Sequence, residues 1–136
     1  MHDQVEANLS ALIESTEDLI WSVDLNYGLL AFNSAFQQDV ERSFGAHAAI
    51  GKRHTDLLPP DKAAIWPPLF ERVLSQGAFR AELPIPDDRT LELAFNPIVV
   101  DGKTTGISVF GKDITERKRA AQAVADSEAR FRTFFE

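Results

Sequence analysis

Gly106-Ile107-Ser108-Val109-Phe110-Gly111-Lys112-Asp113-Ile114-Thr115-Glu116-Arg117-Lys118 is the stretch on which the fold turns. Residues from Thr105 to Lys112 read as a strand, and the chain changes character after Asp113. A carboxylate at the end of a strand accepts backbone N–H groups of the turn that follows. Thr115 is suited to cap a helix, and Glu116 in its first turn suits the helix dipole. From there to Glu136 the chain is rich in Ala, Glu and Arg and holds no Gly or Pro. This predicts a helix that outlasts the globular body. Ile114, Ala121, Val124, Phe131 and Phe135 approximate a heptad seam, with Glu128 as its weak member.

Upstream of that stretch, two more strands are expected. Phe79, Ala81, Leu83 and Ile85 alternate with Arg80, Glu82 and Pro84; Leu91, Leu93 and Phe95 alternate with Glu92, Ala94 and Asn96, in a run continuing to Val100. Asp87-Asp88-Arg89 reads as the turn between them, and Asp101-Gly102 as a tight hairpin turn. Nearer the start, Leu19–Asp24 and Leu29–Phe32 read as a hairpin about Asn26-Tyr27-Gly28. Asn33 is a strong helix cap for the stripe Ala35, Phe36, Val40 and Phe44, which ends near Gly45. Residues 45 to 58 read as loop with short helical turns. Pro59-Pro60-Asp61 opens a helical region whose face is Leu69, Phe70, Val73 and Leu74, with a stop at Gly77. Pro67 and Pro68 predict a break after Trp66. Val5, Leu9, Leu12 and Ile13 give a short amphipathic helix at the N-terminus. The order predicts an α+β fold: a five-stranded antiparallel sheet with helices on one face, an N-terminal cap helix and a C-terminal exit helix.

Composition fits one domain of 136 residues, 44% hydrophobic and 26% charged. The 14 basic and 21 acidic residues leave a net charge of −7, which repels phosphate backbones and argues against nucleic-acid binding. Arg117-Lys118-Arg119 is too short a basic run to reverse that. The chain has no cysteine, which removes disulfides, thiolate zinc sites, cysteine nucleophiles and cysteinyl cofactor adducts, and is compatible with the cytosol. Neither a signal peptide nor a membrane-length apolar run is read, so no membrane contact is expected of these residues.

Three segments carry a family resemblance. Trp21-Ser22-Val23-Asp24 through Phe32-Asn33-Ser34-Ala35-Phe36 is the first, Leu58-Pro59-Pro60 through Arg72-Val73-Leu74-Ser75-Gln76-Gly77 the second, and Gly106 to Lys118 the third. Together they resemble the PAS sensor domains of bacterial signalling proteins over residues 9 to 118, with Asp-Ile-Thr-Glu-Arg-Lys the most specific string. Ser127 to Glu136 resembles the start of another such domain. The resemblance divides the chain into a cap helix (1–16), a sensor domain (17–115) and an exit helix (116–136) running into a second sensor domain. It implies a cytoplasmic input module without enzyme activity of its own, which binds a small molecule or a partner and transmits the change through the exit helix of a dimer, in a parent carrying a histidine kinase or a diguanylate cyclase. A ligand-free dimerisation and relay spacer is the alternative.

The resemblance places a ligand space between sheet and helices, with Phe36, Trp66, Phe70, Val73, Phe95, Ile107 and Val109 as its candidate lining. A small metabolite and a filled core both remain open. Flavin photosensors of the family need an adduct-forming cysteine, which this chain lacks. Haem-binding members use a histidine on the long helix, and that position falls here at Trp66, whose indole cannot ligate iron. A flavin held without an adduct stays open, and no visible chromophore is expected. His2, His47 and His54 lack metal-ligand spacing, and His54, beside Arg53, reads as a solvated loop residue, with sensing of pH or an anion as the alternative. No catalytic constellation stands out. Asp113, Ile114 and Thr115 are implied to set the angle of the exit helix. The stripe Val5, Leu9, Leu12 and Ile13 is expected to bury itself in a parallel homodimer, with the outer sheet face and the exit helix.

Overall fold

The computed structural model describes residues 2–135, with side chains described for 4–130. Its elements are α1 (His2–Glu14), β1 (Leu19–Asp24), β2 (Leu29–Phe32), α2 (Ser34–Phe44), a 3-10 turn (His54–Leu57), α3 (Pro60–Ala63), α4 (Trp66–Gln76), β3 (Phe79–Ile85), β4 (Arg89–Val100), β5 (Lys103–Asp113) and α5 (Thr115–Phe135). The five strands form one antiparallel sheet in the order β2-β1-β5-β4-β3.

Alternation along the strands decides which face is buried. One row crosses the whole sheet: Phe79 pairs with Phe95, Phe95 with Val109, Val109 with Trp21, and Trp21 with Phe32. Phe95, Val109 and Trp21 are buried, as are Val23, Leu91, Leu93 and Ile107 on the same face. Phe36 and Val40 of α2 and Trp66, Phe70 and Val73 of α4 complete the core from the helical side. Gly106 lets β5 approach β1 closely, because a Cβ there would strike the Val23 carbonyl oxygen.

Turn chemistry follows the sequence. Asp101 and Gly102 take φ of 50° and 76°, the left-handed pair that a two-residue hairpin needs. Gly45 closes α2 in the left-handed region at φ 65°, its N–H donating to the Glu41 carbonyl.

Three local readings require correction. The helical break falls at Ala64–Ile65, before Trp66 rather than after it. Pro67 and Pro68 then lie in the first turn of α4, where a missing N–H costs no helix bond. The buried face of α4 is Trp66, Phe70 and Val73, and Leu74 points outward at 37% exposure. Arg89 is the first residue of β4, with Asp87 and Asp88 alone at positive φ in the turn.

Asn33 does more than cap α2. Its Oδ1 accepts from the Phe36 and Ile20 N–H groups, and its Nδ2 donates to the Ile13 and Asp18 carbonyls. One fully buried amide thus joins α1, the start of β1 and the start of α2.

Candidate functional site

The space beneath the helices is a cavity of about 50 Å³. Trp21, Phe36, His54 and Trp66 supply its aromatic wall, with Leu19, Val40 and Leu91 beside them; Lys62, Ile65 and Pro84 are exposed and form its mouth. The rings are mutually packed. Trp21 stacks on Phe36 with centroids 4.7 Å apart and on His54 at 5.5 Å, and Trp66 meets His54 edge-on at 4.8 Å.

Of the residues expected to line the space, Phe36 and Trp66 do so. Phe70, Val73, Phe95, Ile107 and Val109 are buried but lie outside the lining, as packed core. Trp66 contacts Trp21, His54, Phe70 and Phe95.

His54 is the residue that sequence reasoning placed wrongly. It is 2% exposed and packs among four aromatic rings. Two backbone contacts draw its loop inward: the His54 N–H donates to the Tyr27 carbonyl, and Gly28 bridges to Arg53. Burial pushes its imidazole pKa down to about 3, so the ring is neutral at pH 7. Its Nδ1 and the Trp21 Nε1 are buried without a hydrogen-bond partner among the described residues.

A polar chain leads from this cavity to the exit helix. Asp39 lines the cavity from α2, and its Oδ1 accepts from Arg89 at 3.1 Å. Arg89 also donates to Ser43 Oγ at 3.1 Å and to the Pro86 carbonyl at 3.2 Å. Its guanidinium lies 3.9 Å from Asp113, a charge contact rather than a hydrogen bond.

Asp113, Ile114 and Thr115 sit together at the strand-to-helix junction. The Asp113 carboxylate accepts from both the backbone N–H and the hydroxyl of Thr115. Thr115 Oγ1 in turn accepts from the Thr90 N–H, and the Ile114 N–H donates to the Thr90 carbonyl. The carboxylate therefore holds the helix start, whereas the Thr115 hydroxyl ties it to β4 instead of capping the helix. Burial opposes ionisation of Asp113, but the Thr115 hydrogen bonds and the charges of Arg89 and Arg119 outweigh it and hold the carboxyl below its ordinary value. Ile114 is 2% exposed and anchors the junction in the core. Beyond it, residues 116–130 of α5 are exposed. Arg117 pairs with Glu92 at 3.2 Å and Lys118 with Glu82 at 2.6 Å, which rests the first turns of α5 on the outer sheet face. Such exposed pairs are weak and screened by salt. Phe131 and Phe135 of the expected seam have side chains outside the described residues.

Replacing Arg89 is expected to loosen this junction. Arg89→Gln removes a largely buried charge from Asp39 and Asp113 and should lower domain stability by about 2 kcal/mol. Hydrogen exchange at the Lys118 amide, which bonds the Ile114 carbonyl, should accelerate more than exchange in β1. Equal acceleration in both would show general loosening without a special link.

In α1, Val5, Leu9 and Leu12 are 52%, 56% and 60% exposed. Ile13 is half-buried. Among the described residues no three His, Asp or Glu side chains gather as a metal site, and no helix is long and apolar enough to cross a membrane.

An antiparallel sheet covered on one face by helices, with a small aromatic cavity and a projecting C-terminal helix, defines a small α+β domain of one recurrent architecture. The PAS fold family matches residues 13–119, and the chain belongs to that family. Solved structures agree in fold. The PAS domain of Bordetella pertussis BvgS is 22% identical, with a TM-score of 0.68 over 94% of this chain and 98% of that one. A PAS domain from Colwellia psychrerythraea is 23% identical, with a TM-score of 0.60 over 84% and 99%. A sensory box sensor histidine kinase from Vibrio cholerae is 15% identical, with a TM-score of 0.58 over 84% and 95%. Comparison with curated proteins gives no match.

Proposed function

We propose that this chain is the sensory input module of a multidomain signalling protein, without catalytic activity of its own. A small molecule enters the aromatic cavity, and the resulting shift passes to the exit helix of a homodimer. The observation that carries this reading is the route Asp39–Arg89–Asp113, because one guanidinium joins a cavity-lining residue to the base of α5. Ligand-dependent movement of α2 then pulls on the junction, and a packed element of this kind shifts as a body. The sensor histidine kinases among the structural neighbours favour a kinase as the downstream output, reached from the cytoplasmic side. The exposed stripe Val5, Leu9 and Leu12 supports dimerisation through α1, because such a face is otherwise left in water.

The second reading is a ligand-free relay spacer. It is favoured by the density of ring contacts around a cavity of only about 50 Å³. Native mass spectrometry separates the two. The sensory reading expects a dimer carrying added mass from a small molecule, and a monomer when residues 1–14 are removed. A dimer of bare mass supports the spacer. A monomer in both forms removes the dimer from either reading.

A further inference from the structure

Trp21 Nε1 and His54 Nδ1 are buried, unpartnered among the described residues, and belong to two side chains that line the same cavity. Buried polar atoms almost always find a partner, so two such atoms on side chains that line one space call for an explanation. Their rings lie 5.5 Å apart and nearly parallel, at 22°. Trp66 stands edge-on to both, at 73° to Trp21 and 88° to His54.

The chemistry of the two atoms restricts what they recognise. An indole N–H only donates, whereas a neutral imidazole nitrogen either donates or accepts according to tautomer. Two charged side chains, Asp39 and Lys62, line this cavity, and neither offers a free buried charge. Asp39 is bound by Arg89 and Arg42, and Lys62 is exposed. An ion would leave water for an aromatic wall whose one carboxylate is already neutralised by arginine. A purely apolar ligand would leave both nitrogens unpaired.

The geometry points to a recognition site for an uncharged molecule with a flat amide- or lactam-type head, whose carbonyl oxygen accepts from Trp21 Nε1–H and whose adjacent N–H pairs with His54 Nδ1. The cavity, at about 50 Å³, is a third of the 150 Å³ that accommodates benzene. The head alone therefore enters, and the rest of the molecule lies at the mouth against Ile65 and Pro84. This assignment deepens the sensory reading proposed above and rests on it for the cavity being the sensing site.

The test is a titration of the whole ¹⁵N-labelled chain with 2-pyrrolidinone, with cyclopentane as the ring that lacks acceptor and donor. The chain has two tryptophans, so two indole N–H signals report, and Trp66→Phe assigns them. The expected result is a saturable shift of the Trp21 indole signal, with cyclopentane binding at least tenfold more weakly. Trp21→Phe should weaken 2-pyrrolidinone at least tenfold. His54→Phe, which keeps a ring in place, should do so as well if the Trp21 variant loosens the core. An unmoved Trp21 signal, or equal binding of the two rings, overturns the assignment. Binding that leaves the exit-helix amides unmoved would keep the assignment and count against the sensory reading. An exit helix that responds to 2-pyrrolidinone with equal affinity in the native chain and in Trp21→Phe would do the reverse.

Discussion

Acidification from pH 7 to pH 4 is expected to strip this domain of a large part of its stability, through His54. Its pKa is about 3 when folded against 6.5 for a free imidazole, so between these values the unfolded chain binds a proton that the folded chain refuses. Stability therefore falls as pH drops below 6.5, by up to about 1.4 kcal/mol per pH unit, and levels off near pH 3. The whole span of about 3.5 units corresponds to about 5 kcal/mol, comparable with the total stability of a small domain. Asp113 works in the same direction at lower pH, since its depressed pKa contributes stability that is lost on protonation. Urea unfolding at pH 7, 5.5 and 4, on the native chain and on His54→Phe, measures this. The variant should lose far less stability on acidification. An equal loss in both chains would assign the effect to other groups.

The second large effect is expected at Asn33. Asn33→Ala removes four hydrogen bonds made by a fully buried amide and leaves backbone groups of α1, β1 and α2 without partners. With each such loss costing about 1–3 kcal/mol, and water reaching some of the freed groups, a net cost of about 4 kcal/mol is expected. Asn33→Asp is the sharper test. Asp equals Asn as a simple helix cap. Here its carboxylate would set oxygens against the Ile13 and Asp18 carbonyls that the Asn33 amide now satisfies. The Asp variant should therefore fall with the Ala variant in urea midpoint. An Asp variant as stable as the native chain would reduce Asn33 to an ordinary cap.

These two residues show where sequence reading succeeds and where it stops. Asn33 was legible as a cap because its bond to the Phe36 N–H is local, three residues on. Its bonds to Ile13 and Asp18 span 20 and 15 residues, and no pattern announces them. The strands were legible because alternation and turn chemistry are local, as at Asp101-Gly102. His54 was not, because Arg53-His54-Thr55-Asp56 has no apolar period, and long-range contacts of its loop to Asn26, Tyr27, Gly28 and Leu29 turn it inward. Arg89 read as a turn residue for the same reason, since its partners Asp39 and Ser43 lie 50 and 46 residues away. The Asp-Ile-Thr string located the junction. The division of labour within it, carboxylate to helix and hydroxyl to β4, appears only once β4 is beside it.

The strand order also bears on how the chain is made. The first and last strands, β1 and β5, are neighbours at the middle of the sheet, and β5 alone bonds both β1 and β4. While the ribosome has delivered only the residues before Lys103, no strand joins β1–β2 to β3–β4, only helical contacts such as those of Trp66 with Trp21 and Phe95 bridge the two hairpins, and isolated hairpins are marginal in water. Arrival of the final strand zips both halves in one late, cooperative event, so a nascent chain stalled before Lys103 would stay unfolded and open to proteases.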